Sequence, residues 1–241
     1  MSADMSTGQP NGKPNVTAGV LKRLLQVSTI ILVQAAILFA SSGRVDWMMA
    51  WIYVSVYVSN VVINALVILP KSPELIAERA QVAENMKSWD RVLILLAGFS
   101  GLATLLMAGL DARFGWSPKL SLATELAGLG FLVFGCSLFS WAMASNKFFS
   151  GVVRIQKERG HAVVTTGPYQ YVRHPGYVGY ITFSLATPLL LGSLWALIPA
   201  AITTCIFVAR TALEDKTLQE ELDGYRDYAG RVRYRLLPGV W

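Results

Sequence analysis

Charge is what this sequence has least of. Asp, Glu, Lys and Arg make up 15% of its 241 residues, where a soluble domain carries about 25%. Histidine and cysteine are nearly absent, with two of each. Cys136 and Cys205 both lie inside apolar stretches and have no disulfide or metal-site spacing, so they read as small packing residues. No HExxH helix or Cys/His set is present, and no metal is expected. No GxSxG elbow exists for an esterase-type nucleophile, and no GxGxxG follows a strand.

What fills the sequence instead is apolar. Hydrophobic residues reach 54% and the mean hydropathy is +0.46, in blocks long enough to treat a bilayer as solvent. The blocks are Leu24–Ser41, Trp47–Leu69, Val92–Leu110 and Leu122–Ser145. A fifth region, Gly176–Ala212, is interrupted by Pro188, Gly192 and Pro199, which predicts two shorter helices meeting near Leu191–Ser193. The fold class expected is all-α, a polytopic transmembrane bundle of five to six spans. Residues 1–19, rich in Ser, Gly, Pro, Asn and Thr, read as a disordered tail and not as a cleaved leader. Residues 20–134 then form the N-terminal transmembrane helices, and residues 135–241 the region that carries chemistry.

The formal charge of +6 is explained by the flanks of these spans, through topology and contact with anionic membrane lipid, and not by nucleic acid. With six crossings and the N-terminus inside, only Arg44, Arg113 and Lys119 of the 21 Lys and Arg residues fall outside. The positive-inside rule therefore places both termini in the cytoplasm. The large polar loops, Lys71–Asp90, Asn146–Pro175 and the tail Glu214–Trp241, lie on that same side. The first three spans hold almost no ionisable residues, which argues against a transport pathway.

Both histidines sit in one stretch, GHAVVTTGPYQYVRHPGYVGY at 160–180. Pro175 suits the first turn of a helix, so Arg173 and His174 would face the membrane boundary. Arg210 and Glu214 are four apart and share a helix face. The tail LQEELDGYRDYAGRVRYRLLPGVW reads as a polar helix lying along the membrane surface and closing over the loop. Tyr169, Tyr171 and Tyr177 offer faces for a flat ring or a cation, or form an interfacial aromatic belt. Asn60 and Asn64 read as a bridge between helices, and the pairs Gly98/Gly101 and Gly128/Gly135 as packing positions.

The pattern GH-x-VV-x-x-GPY-x-YVRHP-x-Y-x-G, followed by the Arg210/Glu214 pair, a Gly224-Tyr225 run and a C-terminal Arg/Pro segment, resembles the isoprenylcysteine carboxyl methyltransferase family and its phospholipid methyltransferase relatives. The likeness covers roughly residues 135–241. It implies an S-adenosylmethionine-dependent methyltransferase whose acceptor is lipid-like or prenylated, with carboxyl O-methylation favoured and the active site at the cytoplasmic face. Carried over by position, His161, Gly167, Tyr169, His174, Pro175 and Tyr177 would line the cofactor. Arg173, Arg210 and Glu214 would be catalytic, with Arg173 or Arg210 holding an acceptor carboxylate through its fork. This sequence departs from the family in having Glu214-Asp215 in place of two glutamates. The competing readings are an NADPH-dependent reductase of the sterol-reductase type and a non-catalytic membrane protein. An amphiphilic acceptor would enter sideways between the fourth span and the helix that follows residue 175.

Overall fold

The computed structural model describes residues 16–80 and 86–241. Among them there is no strand, and the elements are helices α1 (Val16–Ser42), α2 (Met48–Ile68), α3 (Pro73–Glu78), α4 (Ser88–Phe114), α5 (Leu122–Ser145), α6 (Pro175–Leu190), α7 (Leu197–Glu221) and α8 (Tyr225–Arg231). Five of these, α1, α2, α4, α5 and α7, are long and apolar enough to cross a membrane. The fold is a polytopic helical bundle. The expected tail lies outside the described residues up to position 15, and residues 16–19 belong to α1. Gly19 of α1 sits against Ala77 of α3, where a Cβ would come within 2.7 Å of the Ala77 Cβ.

The broken fifth block resolves into α6 and α7. Gly192 turns the chain with φ +72, and Ser193 Oγ donates to Asp111 Oδ2 at 2.5 Å, pinning the turn to the end of α4. At about 1.5 Å per residue, the 16 residues of α6 reach about 24 Å, short of a core of about 30 Å. α6 is therefore a short helix packed against the others and not one of the five candidate spans.

Small residues set the closest contact. A Cβ on Gly135 would lie 2.7 Å from Gly179 O and from Phe183 N, and a Cβ on Gly128 2.5 Å from Leu190 N. Backbones of α5 and α6 thus touch. That contact corrects the expected sideways entry route, because no gap exists between these two helices where they touch. Gly98 and Gly101 have open space around them and do not pack as expected. Asn60 does bridge helices: its Nδ2 donates to Ser140 Oγ at 2.9 Å, and Asn64 Nδ2 reaches the same oxygen at 2.9 Å.

Helix directions alternate, so the start of α1, the end of α2, the start of α4, the end of α5, the start of α6 and the end of α7 share one end of the bundle. Lys87 Nζ meets Glu221 Oε1 at 2.6 Å there. Loop 146–174 and the C-terminal segment lie at that end too.

Candidate active site

Loop 146–174 has no regular structure beyond two short 3-10 turns, Lys157–Arg159 and Gly167–Gln170, so side chains hold its shape. Asn146 Oδ1 accepts from Phe148 N at 2.9 Å while its Nδ2 donates to the Tyr169 hydroxyl at 3.2 Å. Gln156 is buried at 1% exposure and donates to Phe148 O at 2.7 Å. Asp90, at the start of α4, anchors the loop by accepting from Val153 N at 2.6 Å. Gly167 has φ +61, and a Cβ there would overlap Ser145 Oγ, so only glycine lets this turn sit on α5.

The loop joins the tail through one carboxylate. Asp215 is fully buried. It accepts from Arg173 Nε and Nη2 at 2.7 and 2.9 Å, from Gln219 Nε2 at 2.7 Å, from Arg235 Nε at 2.8 Å and from the Tyr225 hydroxyl at 3.0 Å. His174 Nε2 lies 3.3 Å from the same carboxylate. Arg173 Nη1 is used as well, donating to Val232 O and Arg233 O at 2.9 Å each. The backbone N–H groups of Arg173 and His174 donate to Tyr234 O and Arg235 O, and the Tyr228 hydroxyl donates to Tyr169 O at 2.6 Å. The tail thus closes over the loop, with Tyr225 and Tyr228 buried and not lying on the surface.

Beneath this lid lies a cavity, open on one side, with the mix of apolar walls and a few convergent polar groups that small-molecule sites have. The loop contributes Phe148, Arg154, Gln156, His161 and Tyr169, α6 contributes Tyr177, and α7 contributes Glu214. Arg173 and His174 also line it. The Tyr177 hydroxyl donates to Glu214 Oε2, and the His174 and Tyr177 rings stack with centroids 5.7 Å apart. Burial pushes the His161 imidazole down to about 4, aided by the nearby charges of Arg154 and Arg159. A neutral ring fits its contact, since Nδ1 accepts from Gln156 N at 3.2 Å. Burial raises the Tyr169, Tyr225 and Tyr228 phenols, which keeps their hydroxyls protonated as donors. Arg154 pairs with Glu78 and Glu158, yet its buried Nε has no partner.

Of the residues singled out from the sequence, His161, Tyr169, Arg173, His174, Tyr177 and Glu214 meet at this cavity. Gly167 and Pro175 are not among its lining residues. Gly167 is there for the close approach to Ser145, and Pro175 opens α6 as its first residue. Arg210 does not line the cavity either, although its guanidinium lies 5.3 Å over the Tyr177 ring. It donates through Nε and Nη2 to Asp90 at 2.6 and 3.2 Å and to Gly151 O at 2.9 Å. Neither it nor Arg173 has a free fork for an acceptor carboxylate, because buried aspartates already occupy both.

The sequence reading passed over Asp90, Gln156 and Arg154, and treated Asp215 only as a departure from a motif. Asp90 reads locally as an ordinary acid in a first helical turn, and nothing near it signals a partner 120 residues away. Asp215 did carry a signal: a second acid beside Glu214 on a helix end projects in a different direction and needs its own partner.

Residues 128–220 match the model of the isoprenylcysteine carboxyl methyltransferase family. Protein-S-isoprenylcysteine O-methyltransferase of Schizosaccharomyces pombe is 35% identical over 111 residues, 45% of this chain and 47% of that protein. The Homo sapiens protein of the same name is 33% identical over 125 residues, 48% of this chain and 42% of its own length. The Arabidopsis thaliana B form is 31% identical over 108 residues, 44% of this chain and 55% of its length. The chain thus spans about half the length of these curated relatives, and they do not favour the reductase reading. A solved structure of the eukaryotic intramembrane Ras methyltransferase, isoprenylcysteine carboxyl methyltransferase, superposes with a TM-score of 0.53 at 19% identity, covering 87% of this chain and 73% of that one. Residues 128–220 are thus similar to the isoprenylcysteine carboxyl methyltransferase family, and the helical fold around them is that of the solved methyltransferase.

Proposed function

We propose that this protein is an integral membrane methyltransferase that uses S-adenosylmethionine to methylate a lipid-like or prenylated acceptor, with carboxyl O-methylation favoured. The observation that carries the reading is the Tyr177–Glu214 pair facing a cavity where the polar loop meets the apolar bundle. The positive-inside pattern puts this end, and both termini, in the cytoplasm.

The residues present suit the donor. Its adenine asks for flat apolar faces, which Phe148, Tyr169 and Tyr177 supply. Its amino-acid carboxylate would need a hydrogen-bond donor, and Arg154, its other nitrogens paired with Glu78 and Glu158, keeps a buried Nε–H with no partner among the described residues. When bound, the donor supplies an electrophilic methyl group on a sulfonium. Glu214 and the Tyr177 ring hold that positive charge in place. Neutral His161 contributes a polar contact without adding positive charge. The Asp215 network keeps loop and tail closed, so buried Tyr225 and Tyr228 exclude water from the site.

A carboxylate acceptor is already ionised and needs no general base. The protein's work is then positioning and desolvation. An amine acceptor would instead ask Glu214 to take the proton.

Calorimetric titration of the detergent-purified protein with S-adenosylhomocysteine and with NADPH tests the cofactor. Binding of the first alone is expected, and binding of NADPH alone, or of neither, refutes the proposal. Membranes incubated with methyl-labelled donor and this protein should yield a labelled lipid or prenyl compound whose chemistry identifies the acceptor.

A further inference from the structure

A second cavity, of about 280 Å³, lies among α1, α2, α5 and α6. It is separate from the active-site cavity. Phe149 stands between them: its ring lines the first cavity, packs edge-on against Phe139 at 5.2 Å, and carries the Arg79 guanidinium over its other side at 5.3 Å. Most of the second cavity is apolar, with Leu24, Val27 and Val61 on its walls. Its polar end is different. Arg79 and Arg23 both line it.

Among the described residues these two arginines have no acidic partner. Arg79 Nη1 is buried without any hydrogen-bond partner. Arg23 Nη1 reaches only Arg79 O and Gln26 Oε1, at 3.5 Å each. Burial lowers Arg79 to about 10, and the neighbouring Arg23 charge lowers it further. The buried Arg79 Nη1 without an acceptor is costly, and the partly exposed Arg23 beside it adds repulsion between like charges. One anion between them would relieve both costs.

We infer that the Arg23–Arg79 end of this cavity binds the phosphate of an anionic membrane phospholipid, with an acyl chain lying along the apolar walls between α1 and α2. Charge complementarity selects the anion. The position selects the source, because the cavity combines a two-arginine head site with a long apolar wall at the rim of a membrane bundle. A water-soluble anion would leave that wall empty. The Phe149 partition separates this lipid from the methyl-transfer cavity, so the ligand is a bound membrane component and not the acceptor.

The test is thermal unfolding of the purified protein in a neutral detergent, followed by tryptophan fluorescence. Dioleoylphosphatidylglycerol is expected to raise Tm by about 3 °C or more over dioleoylphosphatidylcholine. Arg79→Gln and Arg23→Gln should each abolish that difference, and Lys22→Gln, an exposed neighbour, should retain it. Should Arg79→Gln fail to fold, Arg79→Lys and Arg23→Gln carry the same comparison. Equal stabilisation by the two lipids overturns the inference, as does a preference that survives in both arginine variants. Inorganic phosphate alone reproducing the shift would overturn the lipid assignment. Competition by a farnesylated cysteine acceptor would overturn it too, by giving the cavity to the acceptor.

Discussion

Arg173 and Asp215 form a two-point ion pair across 42 residues of sequence, with Nε–Oδ1 at 2.7 Å and Nη2–Oδ2 at 2.9 Å. Both side chains are at most 5% exposed. A carboxylate with this many donors organises the whole end of the bundle. Replacing Asp215 with Ala leaves Arg173 buried and unpaired, which costs about 3–5 kcal/mol. Arg173→Ala should lose less, because Asp215 keeps Arg235, Gln219 and Tyr225 as donors. Both variants should therefore show a lowered Tm by differential scanning fluorimetry along with lost methyl transfer. A variant at either position that kept full stability while losing activity would show that the pair is not structural.

Glu214 makes the opposite prediction. Its side-chain contact within the cavity is the Tyr177 hydroxyl, and an amide oxygen accepts that bond as well as a carboxylate does. Glu214→Gln should fold with an unchanged Tm. Loss of the negative charge beside the reacting methyl should lower methyl transfer by about 10²-fold, the scale of removing one electrostatic stabiliser. Tyr177→Phe leaves the charge in place and should lose much less. Parallel rates and melting curves separate these outcomes.

The fold was largely readable from the residues, because apolar blocks of span length and Lys/Arg-rich flanks obey local rules. Pro175, Gly192 and the break before α7 followed from backbone chemistry alone. The site was half readable. The 160–180 stretch clusters in sequence and also in space, so His161, Tyr169, His174 and Tyr177 were found together. The i, i+4 spacing of Arg210 to Glu214 is a local cue, whereas its ion-pair partner Asp90 comes from α4 and could not be read from it. Partners that come from distant helices leave no periodic trace. The unpaired Arg79 was invisible for the same reason, since a missing partner can be seen only when all the neighbours are in place.

His161 ties stability to pH. Its folded value is about 4 against an ordinary 6.5, so the unfolded chain takes up a proton first as pH falls. The stabilising difference is fully present above about pH 6.5 and is lost progressively toward about pH 4. Melting curves at pH 7.5 and 5 should show a drop for the native protein. His161→Gln should show a smaller drop over the same interval.

Gly135 and Gly179 bring the α5 and α6 backbones into contact. Gly135→Ala places a methyl group where carbonyl and amide already sit, and neither is a flexible side-chain end. Overpacking of this kind costs about 1–3 kcal/mol, and it would tilt α6 and move Tyr177 with it. Gly98→Ala on α4, where a Cβ meets open space, should be neutral or slightly stabilising by helix propensity. Melting temperatures of the two variants should therefore move apart, and only Gly135→Ala should slow methyl transfer.

The Arg210–Asp90 pair separates a structural arginine from a catalytic one. Asp90 is fully buried, and its two oxygens tie together α4, α7 and the Val153 amide of the loop. Asp90→Leu alone strands the arginine, and Arg210→Met alone strands the aspartate, so each should cost about 3–5 kcal/mol. The double variant removes both charges and fills the space with apolar atoms, which in other proteins is often neutral. It should recover most of the lost Tm and a substantial part of the methyl-transfer rate, short of full recovery because the Val153 and Gly151 contacts are gone. If Arg210 touched the reacting groups, activity would stay absent in the double variant however stable it became, so the pairing of Tm with rate across the four proteins decides the role of this residue.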